Sequence, residues 1–202
     1  MADNYEKIVK SNLERLYAGM PADLADRIPA EKDGDRFVFN AFGEKCVISP
    51  DGVMIGAGGH PTVLGIIISL YALHAKPDVC VTEPFKAFKD CPNSMPYVGA
   101  FTAHAEQILV PHAERLESAA PRIKAALNGG DAPESVSGDL AFVVYPLPKI
   151  ALCYIVYEAD EDFPASVTCL YAHNADLFLP VDALADTGEY TSRKIIALIE
   201  KA

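Results

Sequence analysis

The chain has 202 residues, half of them apolar and 22% charged, which suits one folded domain with a substantial core and argues against intrinsic disorder. Twenty-eight acidic against seventeen basic residues leave a net charge of −11, a field that repels phosphate backbones and anionic lipid surfaces, so nucleic-acid and membrane partners are set aside. The segment from Met1 to Lys7 has neither the basic nor the apolar part of a secretory signal, and the five cysteines are irregularly spaced without a CxxC; both point to a reduced, cytoplasmic chain with no disulfide framework or zinc knuckle.

Residues 4–17 place Tyr5, Ile8, Val9, Leu13, Leu16 and Tyr17 three and four apart, the spacing of an amphipathic helix, and Gly19 is a natural cap. A short second helix is expected after Pro21, through Leu24 and Ile28. The period then drops to two. Residues 36–42, with Phe37, Phe39 and Ala41 on one side, and residues 45–49 read as strands joined at Gly43-Glu44, and Pro50-Asp51-Gly52 has turn chemistry. Residues 53–75 contain no Asp, Glu, Lys or Arg, but the Gly56-to-Pro61 stretch interrupts them. The remaining run of about 14 residues is too short to cross a bilayer and predicts a buried helix from Pro61 to Ala75.

Residues 76–100 are proline-rich and aperiodic, an irregular surface segment with one short helix at 85–88. Helices are expected at 102–116 and 120–127, the second closed by Asn128-Gly129-Gly130, and residues 131–138 read as a loop. In the strands 140–145 and 150–157 both faces are apolar: Leu152, Tyr154 and Val156 on one, Cys153, Ile155 and Tyr157 on the other. Such strands sit centrally, covered on both sides. Residues 167–171 add a strand, and short helices at 182–185 and 191–201 end the chain. The pattern defines a single-domain α+β fold: a mainly antiparallel sheet of about five or six strands, packed by the buried central helix 61–75 and by terminal helices.

Gly138-Asp139 before a strand, the Leu147-Pro148 break, Asp160-Glu161-Asp162 closing on Phe163-Pro164, and the segment Ala175 to Pro180 together resemble the uncharacterised family known as domain of unknown function 3786, found mainly in anaerobic bacteria and archaea. The resemblance extends over most of the chain and implies a cytoplasmic single domain with no assigned chemistry. Some relatives carry a cysteine-rich iron–sulfur segment alongside. This chain has no cysteine before Cys46 and no cysteine cluster, so that association is not carried over. It also lacks tryptophan, and Tyr171-Ala172 stands where the family often has Phe-Asp.

Two stretches carry candidate chemistry. Gly56, Gly58, Gly59 and His60 precede a helix and offer backbone N–H groups to an anion, or else make room for close packing there. They lack the final glycine of a dinucleotide fingerprint and the Gly-Lys-Ser/Thr of a P-loop. Glu158, Asp160, Glu161 and Asp162 are either a donor set for a hard cation or a solvated hairpin end that protects a strand edge. The histidines at 60, 74, 104, 112 and 173 show no paired spacing, so no metal site is assigned, and no nucleophile motif is present. Tyr145, Tyr154, Tyr157 and Tyr171 line a pocket beside the hairpin or pack the core.

These observations favour a non-catalytic cytoplasmic binding or accessory protein that recognises a small molecule or a partner. Its pocket is expected between the glycine turn and the acidic loop, with Gly56, Gly58, Gly59, His60, Asp160 and Asp162 as ligand-binding residues. Two alternatives stand beside it. One is an enzyme using the acidic cluster with His60 or His173 in acid–base or metal-assisted chemistry. The other is a homodimer paired through the doubly apolar hairpin. No cofactor and no catalytic residue are specified.

Overall fold

The computed structural model of the protein describes residues 2–57 and 62–201. Helix α1 (Ala2–Ala18) buries Val9, Leu13 and Leu16, as its apolar spacing predicts. The single turn α2 (Leu24–Arg27) follows, with Arg27 Nε on Asp23 Oδ1 at 2.8 Å.

Strands β1 (Glu31–Asp33), β2 (Arg36–Ala41), β3 (Glu44–Ser49) and β4 (Gly52–Ile55) form a four-stranded antiparallel meander in chain order. The β2–β3 turn holds Phe42 at φ 50° and Gly43 at φ 75°, the pair of positive angles that matches strand twist in a two-residue hairpin. Alternation sorts the faces: Phe37, Phe39, Ala41, Cys46 and Ile48 point inward, while Val38, Asn40, Lys45 and Val47 point out. Helix α3 (Val63–His74) covers the inner face with Ile67, Ile68 and Tyr71, and the ring of Tyr71 lies 6.1 Å from that of Phe39. Pro61, the expected start of this helix, lies outside the described residues.

The second sheet contains β5 (Lys86–Ala87), β6 (Gly130–Asp131), β7 (Leu140–Leu147), β8 (Ile150–Tyr157) and β9 (Ser166–Tyr171), in the spatial order β5-β9-β8-β7-β6 with every pair antiparallel. β8 is central, and Ala151, Leu152, Cys153 and Tyr154 are 0% exposed. The apolar hairpin thus sits in the middle of the sheet with both faces covered within one chain, as its doubly hydrophobic pattern requires.

The fold is α+β and its strands pair antiparallel. They divide between two sheets, where the sequence pattern implied one sheet of five or six. Pro146 lies at their junction. It has no N–H, so the β7–β8 ladder shifts register between Val144 and Leu147, and the groups released there bond outside the sheet. Tyr145 N–H donates to Leu127 O at 2.9 Å, and Pro146 O accepts from Phe42 N–H at 2.7 Å. The first sheet therefore meets the second through its turn and not through a strand edge.

Between α3 and β6 the chain forms α4 (Val98–Phe101), a π-helical turn (Thr102–Glu106), a 3₁₀ stretch (Gln107–His112) and α5 (Ala113–Ala126). The break falls at Pro111, earlier than the periodicity predicts. α5 continues through Pro121 because Leu116, Ala119, Ala120 and Ile123 are buried along one face. Helix α6 (Val181–Glu200) is one 20-residue helix where two short ones were expected. Gly188 lies at its closest approach to the core; a Cβ there would stand 2.5 Å from Phe101 Cε2 and 2.7 Å from Tyr171 Oη. Packing at this point outweighs the low helix propensity of glycine. One contiguous buried core runs from Val9 to Ile199. Among the described residues no helix is long and apolar enough to cross a membrane.

Candidate functional site

The β7 bulge does more than end a ladder. It turns Tyr145 out of the sheet, and Tyr145 and Pro148 form one wall of a cleft of about 800 Å³. Ala25, Pro29 and Ala30, from α2 and the residues after it, form the facing wall, and Val38, Asn40 and Lys45 line the floor.

Register decides what the floor offers. β1 pairs with β2 only from Asp33↔Arg36 to Glu31↔Val38, so β2 runs on past the start of β1. The hairpin closing at Asp33 and Arg36 directs the main-chain groups of Arg36 and Val38 toward β1, and alternation directs those of Asn40 the same way. Asn40 N–H and C=O therefore face the cleft where no strand opposes them. Cross-strand partners share a face, so Glu31, Val38, Asn40 and Lys45 all project on the outer side of the sheet. Asp26 and Asn128 complete the rim, Asn128 at φ 51° just beyond α5. Burial, with a smaller contribution from neighbouring Cys80, raises the pKa of the Tyr145 phenol, a group that is a hydrogen-bond donor at neutral pH in any case.

Behind Pro148 lies Lys149, 6% exposed. Its Nζ donates to Lys76 O at 2.9 Å and Asp78 O at 2.7 Å and sits 5.3 Å from the Phe178 ring centroid, while its N–H donates to Tyr71 Oη at 3.2 Å. Burial lowers the pKa of this amine. Burial likewise raises the Cys80 thiol, against the opposing pull of the Ala151 N–H and Lys149. A thiol that keeps its proton is a weak nucleophile. This amine and thiol hold the segment after α3 against the hairpin. A second cleft, of about 630 Å³, lies between α1 and the other end of the first sheet, where Lys10, Arg36, Asp51 and Met54 line it.

Of the residues singled out by sequence, Gly56, Asp160 and Asp162 line neither cleft. Gly58, Gly59 and His60 lie outside the described residues. Gly56, at φ 55°, donates its N–H to Lys45 O at 3.0 Å and lies against the carboxylate of Glu44, which is itself paired with Lys194 Nζ at 2.6 Å. Asp160 and Asp162 are exposed in the loop after β8. Asp160 Oδ1 accepts from the N–H groups of Asp162 at 2.8 Å and Phe163 at 2.6 Å, so this carboxylate closes a turn. Asp160 follows β8 and His173 follows β9, so the two stand at opposite ends of an antiparallel pair, roughly 20 Å apart by the six-residue length of β9. Among the described residues no group of three or more His, Cys, Asp or Glu is disposed to hold a metal ion.

Of the hairpin tyrosines, Tyr145 reaches the cleft. Tyr154 and Tyr171 are fully buried on Ser192 Oγ at 2.9 Å and Leu184 O at 2.7 Å, and Tyr157 Oη donates to Ser137 O at 2.9 Å. Asn40, Lys45 and Asn128 carried no sequence signal, since an outward strand residue and a helix-cap asparagine are ordinary in those positions. The one available cue was Pro146, a proline inside an otherwise central strand, which signals a bulge.

Fold and cleft define an α+β protein in which a bulged hairpin joins two antiparallel sheets beside a polar-lined groove. A family model described as a domain of unknown function (DUF3786) matches residues 20–194, and the chain belongs to that family. The matched span contains every residue that lines the first cleft, whereas the second cleft depends on Glu6 and Lys10 of α1, which precede it. No curated protein and no solved structure matches the chain.

Proposed function

We propose that the protein is a non-catalytic, cytoplasmic, single-domain binding or accessory protein whose ligand site is the cleft between Tyr145 and the β2–β3 floor. The carrying observation is the bulge at Tyr145-Pro146, which sets a phenol donor across from the open main-chain edge of Asn40. Bulges that aim a side chain into a groove recur beside functional sites. The volume falls within the range of about 300–1,000 Å³ usual for small-molecule sites, and the lining joins apolar walls to a few polar groups. The most chemically capable groups near the cleft, the buried Lys149 and the half-buried Cys80, are held by main-chain carbonyls or kept protonated, which supports binding over catalysis. Four of the five free cysteines are buried, in keeping with a reducing compartment.

Native mass spectrometry of protein purified without oxygen tests this reading. A small molecule is expected to co-purify with the wild type and to be lost from Val38→Trp, which fills the cleft from its floor. Retention of that molecule by a folded Val38→Trp protein, or no bound species in the wild type and none from a metabolite library by thermal shift, overturns it.

A further inference from the structure

We infer that the cleft takes a short peptide with free termini, an inference that rests on the reading of this cleft as the ligand site. The charges in it are segregated. Asp26 and Glu31 stand on the α2–β1 side and Lys45 stands on β3, and among the described residues none of the three has an ion-pair partner. Glu31 and Lys45 are two inter-strand steps and two residues of stagger apart on one face, roughly 12 Å between Cα atoms from the standard spacings. Three extended residues span at most about 10 Å, so a tripeptide reaches from the carboxylates to the ammonium with the side chains closing the remainder.

Between these poles lies the main chain of Asn40, with its N–H and C=O turned to the side that β1 leaves open. A peptide that leaves the β1 side here supplies an amide group to match them. The poles also fix its direction. Its ammonium end sits by Glu31 on β1 and its carboxylate end by Lys45 on β3, so it crosses the outer face of β2 obliquely from Val38 toward Asn40. The Tyr145 phenol and the Asn128 amide border the groove and are free to bond the peptide or its side chains. A wholly anionic ligand would meet two carboxylates, and a wholly cationic one would meet Lys45 at the other pole. The free-ended peptide satisfies both.

The test is affinity-selection mass spectrometry on the full chain, using an equimolar tripeptide library with free termini beside the same library N-acetylated or C-amidated. Free peptides are expected to be retained, and either cap to lower retention about three- to fivefold, the effect of one exposed ion pair. Lys45→Met is expected to erase discrimination against the amide alone, and Asp26→Asn with Glu31→Gln to erase discrimination against the acetyl cap alone. All three positions are outward-facing, and an unchanged melting temperature verifies the fold. Equal retention of capped and free peptides, or no retention of any tripeptide, overturns the inference. If tripeptides fail while a different molecule co-purifies and is lost in Val38→Trp, only the ligand class falls. If Val38→Trp keeps that molecule, the cleft itself is the wrong place.

Discussion

The main-chain N–H of Phe42 donates to the carbonyl oxygen of Pro146 at 2.7 Å, joining the turn of one sheet to the bulge of the other. Both ends depend on local chemistry. Phe42 reaches the carbonyl because a positive-φ turn presents its N–H outward, and the carbonyl is available because proline interrupts its own ladder. The groove lined by Tyr145 and Asn40 lies beside this junction.

The turn fits because Gly43 has no side chain. It lies against the carbonyl of Ala126 at the end of α5, and its φ of 75° is unfavourable for any other residue except asparagine or aspartate. Gly43→Ala is expected to lower stability by about 2–4 kcal/mol, since strain and a backbone clash act together. Gly34→Ala, at φ 58° with open space around it, should cost only about 1 kcal/mol. Urea unfolding of the two variants compares them directly, and equal midpoints would contradict the close approach.

Lys149→Met tests the latch behind the cleft. Removing the ammonium leaves the carbonyls of Lys76 and Asp78 without their donor, a loss of about 1–3 kcal/mol. Hydrogen exchange should show faster opening around residues 76–84 and little change in β2 and β3. Uniform acceleration across the chain would mean that the lysine supports the whole fold and not this segment.

Alkaline pH is expected to destabilise the protein. Burial holds Cys46 at about 12 and Cys153 at about 11, against 9.0 for a free thiol, and raises the phenols of Tyr154 and Tyr171 well above 10.0. For acids whose pKa is raised on folding, the unfolded chain releases protons that the folded chain retains. Stability is therefore complete below about pH 9 and falls as pH rises through the folded values. Urea midpoints measured in reductant should decline from about pH 9 upward, and the decline should be shallower in Cys46→Ala. A wild-type midpoint that stays flat to pH 11 would refute the assignment.

Asp160 separates a turn from a site. Asp160→Asn keeps the acceptor for Asp162 and Phe163 and should unfold within about 0.5 kcal/mol of wild type, whereas Asp160→Ala should lose about 1 kcal/mol. Neither change should alter retention of a ligand in the Tyr145 cleft. Loss of ligand in Asp160→Asn, with stability intact, would return the acidic loop to the functional account.

Short-range information was legible wherever a segment repeats itself over a full turn or several strand residues. α1, the β2–β3 hairpin at Gly43 and the central β7–β8 pair all follow from periodicity and turn chemistry within windows of about a dozen residues. In the candidate site Tyr145 alone was marked, as one of four tyrosines in or beside the hairpin. Asn40, Lys45 and Asn128 were not, since each obeys its local rule.

By itself, then, the sequence determined the α+β class and the burial of the hairpin, because apolar spacing specifies which face of an element must leave water, and its motifs carried the family resemblance. The tertiary structure alone decided that the nine strands among the described residues form two sheets, that α6 runs unbroken past Gly188, and that residues as distant as Ala25 and Pro148 share one groove. Two-residue strands such as β5 and β6 have no period to read. The bulge at Pro146 acquires its meaning from Phe42, about a hundred residues away, and no local pattern encodes a bond between such distant partners.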